Sequence, residues 1–76
     1  MTAEEIRELS GSIDRPIRIR LRGGETAEIV PLFVVEDERE VIYRLLSTSD
    51  PGRYKANPCD QVYLTEFEHI ESLQRS

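Results

Sequence analysis

The spacing of apolar residues near the start of the chain predicts a short helix. Ile6 and Leu9 lie three residues apart, as side chains on one helical face do, with charged residues between them. Thr2 and Glu5 precede them in the pattern of a capping box, in which each side chain accepts from the other residue's backbone amide. We therefore expect a helix over residues 2–10, too short to be stable unless it docks against another element.

A period of two follows and predicts strands. Residues 17–22 read Ile-Arg-Ile-Arg-Leu-Arg, the alternation of a strand with one apolar and one basic face. A Gly-Gly turn leads into a long strand over residues 26–35, which should bend at Pro31. Its apolar run Ile29–Val35 must either be covered on both faces or leave one sheet at one end and join another. The remaining predicted elements are strands over 40–46, 61–64 and 70–74, a loop over 47–60 and a 3₁₀ turn over 65–69.

Five short strands, the second of them long and bent, predict an all-β fold. We expect a small five-stranded barrel over residues 16–74, because closing the sheet removes its exposed edges. The first three strands, joined by tight turns, should form an antiparallel meander. The N-terminal helix is expected to cover one open end. At 76 residues the chain is predicted to form one domain, residues 1–76.

Composition narrows the function classes. The net charge of −5 argues against general attraction to nucleic acid or to anionic lipid, both of which are negative. No segment approaches the ~20 apolar residues of a membrane helix, and the acidic N-terminus lacks the apolar core of a signal peptide. Cys59 is the only cysteine, so no internal disulfide can form. These features predict a cytoplasmic protein that has no contact with membranes.

The order of elements resembles that of the SH3-like and Sm-like small barrels. At the two places where Sm-like proteins carry RNA-binding Asp-Asn and Arg-Gly pairs, this chain has Glu36–Glu38 and Thr65–Phe67. The resemblance therefore implies the barrel fold and not Sm-type RNA binding. The matching stretches are the initial helix, Ile17–Leu21, Ala27–Val35, Val41–Leu46, Val62–Leu64, Phe67 and Ile70–Leu73.

A second likeness is to the WYL domain, an Sm-like barrel of bacterial regulators. Ile29–Leu32 resembles its Val-x-Pro segment, and Ile42–Arg44 stands where its Trp-Tyr-Leu signature falls. Glu68–Ile70 stands at its Asp-Arg-Ile ending. The tryptophan is absent and His69 replaces the arginine, so the ligand-binding role of that family is not carried over. We expect the chain to be similar to a small bacterial barrel family of this general type.

Two basic groups are the candidate binding residues. Arg18, Arg20 and Arg22 should form a row on one strand face, where guanidinium groups can pair with carboxylates or phosphates. The alternative is a solvated face whose arginines pair with glutamates across the strands. The second group is Arg53, Tyr54 and Lys55 in the long loop. With the other tyrosines it could form a stacking platform, or the tyrosines could pack over the barrel wall.

Catalytic and metal chemistry lack the required sets of residues. Cys59 and His69 supply one thiol and one imidazole, whereas a zinc site needs three or four ligands. The acidic cluster has no glycine of the kind that calcium loops use at their sharp turn; its members are Glu36, Asp37, Glu38 and Glu40. No Cys-x-x-Cys, His-x-x-His or Gly-x-Ser-x-Gly motif is present. We predict that the protein is not an enzyme and uses no cofactor or metal.

The sequence thus predicts a non-catalytic module that binds another protein or assembles with copies of itself. The exposed edges of the fourth and fifth strands could pair with a partner strand. The alternative is binding of single-stranded RNA or DNA through an Arg/Tyr surface, which the net charge disfavours. The predicted partner-binding residues are Arg18, Arg20, Arg22, Arg53, Tyr54 and Lys55.

Overall fold

The structure, a computed structural model, describes residues 1–75, in which one short helix precedes one antiparallel sheet of five strands. The last residue of the predicted domain, Ser76, lies outside the described residues. The predicted all-β class is confirmed, and every predicted element is present within two residues of its expected bounds. The elements are α1 (Ala3–Ser10), β1 (Ile17–Leu21), β2 (Thr26–Val35), β3 (Glu40–Thr48), β4 (Val62–Glu66) and β5 (Ile70–Arg75), with 3₁₀ turns at Pro51–Arg53 and Phe67–His69.

The capping box begins α1 as expected. The Glu5 amide donates to the Thr2 hydroxyl at 3.1 Å, and the Thr2 amide donates to the Glu5 carboxylate at 2.9 Å. Leu9 is fully buried, and the helix packs against β2 and β5. Gly11 ends the helix by donating its amide to the Arg7 carbonyl at 3.0 Å. The docking of Leu9 supplies the stability that two turns of helix cannot supply by themselves.

The strands lie in the order β4-β3-β2-β1-β5, and all pairs are antiparallel. The predicted meander of β1, β2 and β3 is confirmed, and β5 returns to pair with β1. This order leaves β4 and β5 as the two edges. Within residues 1–75 no strand pairing joins them, so hydrogen bonds do not close the sheet into a barrel.

One face of the sheet carries the core. Ile17 lies opposite Ile29 across β1 and β2, and Leu45 of β3 lies opposite Ile29 on the other side, so their side chains share one face. The arginines of β1 point away from that face, as the alternation predicts. The buried cluster consists of Leu9, Ile17, Ile19, Leu21, Ala27, Ile29, Val41, Tyr43, Leu45, Phe67 and Ile70.

The long strand β2 is irregular where proline predicts a bend. Its register against β3 shifts between Pro31 and Phe33. Ile29, Val30 and Pro31 are all buried, so both faces are covered there, and the Asp14 amide donates to the Pro31 carbonyl at 2.9 Å. Among the described residues, no backbone hydrogen bond joins the turn after α1 to a residue of β2 beyond Pro31. Phe33 is 65% exposed, so the alternative in which both faces of the whole run are covered does not hold at this residue.

Candidate functional site

The three tyrosines of the chain meet in one cluster beside a groove of about 220 Å³. Tyr43 and Tyr63 lie directly opposite each other on β3 and β4, with ring centroids 6.2 Å apart. The Tyr54 ring lies 5.3 Å from that of Tyr63, at an interplanar angle of 56°. We call this surface the tyrosine groove. Its remaining lining residues are Leu21, Arg22, Arg53, Leu64, Thr65 and His69.

A buried carboxylate, Glu25, holds this corner of the molecule together. Its side chain is only 4% exposed. The Tyr54 hydroxyl donates to Oε2 at 2.8 Å, and the Thr48 hydroxyl donates to the same oxygen. Nη2 of Arg53 lies 3.0 Å from Oε1 but outside hydrogen-bonding angles, so Oε1 is buried beside a charge without a donor aimed at it. Glu25 therefore ties the start of β2 to the end of β3 and to the long loop.

The loop residues Arg53 and Tyr54 form a packed corner. The Arg53 guanidinium lies 5.0 Å from the centroid of the Tyr54 ring, within cation–π range, and donates to the Tyr54 hydroxyl at 3.2 Å. That hydrogen bond raises the pKa of Arg53 above its usual value. Burial raises the pKa of the Tyr54 phenol. Lys55, predicted as part of the same group, is exposed and does not line the tyrosine groove.

The sequence does not reveal the role of Glu25. Gly23 and Gly24 have φ angles of 95° and 99°, which only glycine adopts readily, and an acid after such a turn is typical of a solvated hairpin tip. The partners of Glu25 lie 23 and 29 residues further along the chain. No local pattern connects residues at those distances.

The predicted row of arginines divides between two surfaces. Arg18 and Arg20 are exposed on β1, opposite Glu28 and Thr26 of β2. They line a shallow groove of about 420 Å³. This arrangement places Arg18 beside a carboxylate, as the alternative of cross-strand pairing expects. The other lining residues of the groove are Ala27, Ser47, Thr48, Ser49 and Gln74.

Arg22 leaves that row and lines the tyrosine groove. The register of β1 against β5 shifts between Arg20 and Leu21, and β1 ends at Leu21. Beyond this point the Arg22 amide donates to the His69 carbonyl at 2.9 Å, and Nε donates to the Glu68 carbonyl. The bulge therefore separates a set of residues that strict alternation would align.

An apolar stripe crosses the face of the sheet opposite the core. It consists of Phe33 on β2, Ile42 on β3, and Val62 and Leu64 on β4. Ile42 lies opposite both Phe33 and Leu64. Phe33, Val62 and Leu64 are 65%, 56% and 54% exposed. Aliphatic side chains at positions 62 and 64, alternating with Tyr63, are the sequence signal that could have identified this second apolar face.

Charges of opposite sign flank the apolar stripe. Arg44 lies opposite Val62 at one end. Glu40 and Glu66 lie directly opposite each other at the other end. Like charges in that position repel. The face is thus basic at one end, apolar in the middle and acidic at the other end.

The outer edge of β4 is free. The Leu45 amide donates to the Gln61 carbonyl at 3.0 Å, and the Phe67 amide donates to the Arg39 carbonyl at 2.8 Å. Because backbone groups alternate direction along a strand, the odd-numbered residues of β4 bond to β3. The N–H and C=O groups of Val62, Leu64 and Glu66 therefore point away from the sheet, and no strand of the described chain pairs with them.

Within the described residues, no three His, Cys, Asp or Glu side chains come together as a metal site. Residues 1–75 also contain no helix of the length and apolar character needed to span a membrane. Comparison with known proteins finds no matching family model, curated protein or solved structure.

Replacing Glu25 with alanine tests its role as an anchor. The change leaves Tyr54 and Thr48 without their acceptor and Arg53 without its counter-charge. We expect the free energy of unfolding, measured in urea, to fall by about 1–3 kcal/mol. Amide exchange at Arg53 and Tyr54 should also accelerate. Glu28→Ala, within β2 and opposite the exposed Arg18, is the control; equal effects of the two changes would contradict the anchor role.

The pH dependence of stability tests the burial of Tyr43. Burial, and then the charges of Tyr54 and Glu25, raise the pKa of Tyr43 to about 12. Because the unfolded phenol ionises near pH ~10, folding opposes ionisation, and the free energy of unfolding should fall as pH rises from about 10 to about 12. Urea unfolding across that interval measures it. Tyr43→Phe should lose less stability there, and an unchanged slope would refute the assignment.

Proposed function

We propose that the protein is a non-catalytic binding module that takes an extended strand of a partner protein against the free edge of β4. The observation that carries this proposal is the coincidence of outward N–H and C=O groups with two side chains, Val62 and Leu64, that are each more than half exposed. Backbone bonds from an added strand supply affinity, and the alternating side chains supply specificity.

The composition of β4 supports this proposal. Edge strands that must not associate usually carry lysine, proline, an inward charge or a bulge. Val62–Glu66 contains neither lysine nor proline, and its register with β3 has no shift. A straight edge with aliphatic side chains is a surface at which another strand can add.

We also propose that the sheet belongs to the SH3-like/Sm-like barrels of bacterial type and that the protein acts in the cytoplasm. Support for the fold comes from the initial helix, the strand order and the 3₁₀ turn Phe67–His69 before the last strand. Support for the location comes from the lone cysteine, Cys59, which suits a reducing compartment.

A displayed library of extended peptides tests strand addition. Peptides selected on the wild-type protein should lose affinity at least tenfold (about 1.4 kcal/mol) for Leu64→Pro, which removes an outward N–H and leaves the bonds to β3 intact. Leu64→Val keeps the N–H and an apolar side chain and is the matched control. Selection of no peptides, or peptides that bind Leu64→Pro equally well, would reject the proposal.

Single-stranded nucleic acid is the second candidate ligand. The favouring observation is that Arg22, Arg53 and His69 line the same groove as the tyrosines. A labelled oligonucleotide should then bind at low salt, lose affinity steeply as salt rises, and fail to bind an Arg22→Glu, Arg53→Glu variant. Arg7→Glu, Arg15→Glu, which changes two exposed arginines outside the groove, is the charge-matched control. Absence of binding at low salt eliminates this candidate.

A further inference from the structure

We infer that the strand received by β4 is β4 of a second copy, in a two-fold symmetric dimer centred on Leu64. In this dimer Val62 of each copy lies opposite Glu66 of the other. The inference rests on the proposed function, because it names the occupant of the same edge. It is argued from backbone direction, from the apolar stripe and from the charges at its two ends.

Backbone direction selects the register. Antiparallel strands exchange bonds only between residues whose N–H and C=O groups face each other. Val62, Leu64 and Glu66 face outward, so Leu64 can pair with Leu64 of the second copy while Val62 pairs with Glu66. Centring the axis on Tyr63 or Thr65 leaves one outward residue of β4 without a partner inside the opposing strand. The register centred on Leu64 uses every outward group of the strand.

The apolar stripe becomes continuous in this register. Leu64 of each copy meets its symmetry mate, and Ile42 lies directly behind it on β3. The row Phe33, Ile42, Leu64 then runs on into the same row of the second copy in reverse order. The side chains of Val62 and Leu64 are then flanked by β4 of the second copy on the outer side, where β4 of the monomer pairs with no strand of the described chain.

The charges are self-complementary about the same axis. Arg44 lies next to Val62, and Val62 faces Glu66 of the second copy, so Arg44 can reach over Val62 toward that carboxylate. In the monomer Glu66 lies opposite Glu40, with the His69 imidazole at 3.9 Å. A two-fold axis repeats the contact at both ends of the strand pair. In a two-fold interface the same patch meets itself, so a charge at one end must face a charge of opposite sign at the other end. This face meets that condition, with Arg44 at one end and Glu66 at the other.

Sedimentation equilibrium on the full chain tests the dimer. Over about 1–300 µM, a range that covers weak and moderate affinities, wild type and Leu64→Val should dimerise while Leu64→Pro stays monomeric. A wild-type protein that is monomeric throughout overturns the inference. So does a dimer that persists in Leu64→Pro, because that dimer uses another surface.

A charge exchange gives a test that does not depend on tolerance of proline. Arg44→Glu and Glu66→Arg should each raise the dimer dissociation constant roughly fivefold, since each places like charges together at both ends of the interface. The double variant should restore wild-type affinity. Arg44 and Glu66 lie at opposite ends of the β3–β4 pair within one chain, so restoration requires contact between copies. A double variant as weak as the single variants refutes the register.

The two proposals fail in different ways. A wild-type monomer whose β4 still binds selected peptides in a Leu64-dependent manner rejects the second copy and retains strand addition. A chain that neither dimerises nor selects peptides at β4 rejects both.

Discussion

A sheet of five strands that hydrogen bonds do not close has two edges, and this chain treats them differently. The helix α1 packs against β5, whose exposed side chains are polar: Glu71, Ser72 and Gln74. The other edge, β4, exposes Val62 and Leu64. Because unpaired N–H and C=O groups invite pairing, the side chains beside them decide whether an edge stays solvated. The difference in exposed side chains makes the edge of β4 the candidate binding site.

The buried carboxylate of Glu25 is linked through side-chain contacts to the same edge strand, β4. Glu25 binds the Tyr54 hydroxyl, the Tyr54 ring contacts Tyr63, and Tyr63 lies on the inward face of β4. The anchor, the loop and the edge strand are thus linked by successive contacts. An edge held in one conformation loses less freedom when a strand binds to it, which favours affinity. The corner that sequence patterns suggest as a binding platform therefore also supports the strand beside it.

The elements could be predicted from the sequence, and their contacts could not. Alternation at residues 17–22 and the proline in β2 are local signals, and local sterics produce the strand and its irregularity. The burial of Glu25 depends on Thr48 and Tyr54, far along the chain. The separation of Arg22 from its row depends on a bulge against β5, a strand that lies more than forty residues later. Long-range pairing determines both features, and no single-strand pattern encodes it.

The symmetry of strand pairing also bears on how far association proceeds. If β4 of one copy paired with β5 of another, the pair would still have one free β4 and one free β5. Further copies could then add until a ring closed or a filament grew. Pairing of β4 with itself consumes the apolar edge of both copies and leaves two polar edges outside. The net charge of −5 on each chain opposes further contacts between copies that lack local complementarity. An aliphatic edge on a small acidic protein is therefore compatible with solubility when the edge is its own partner.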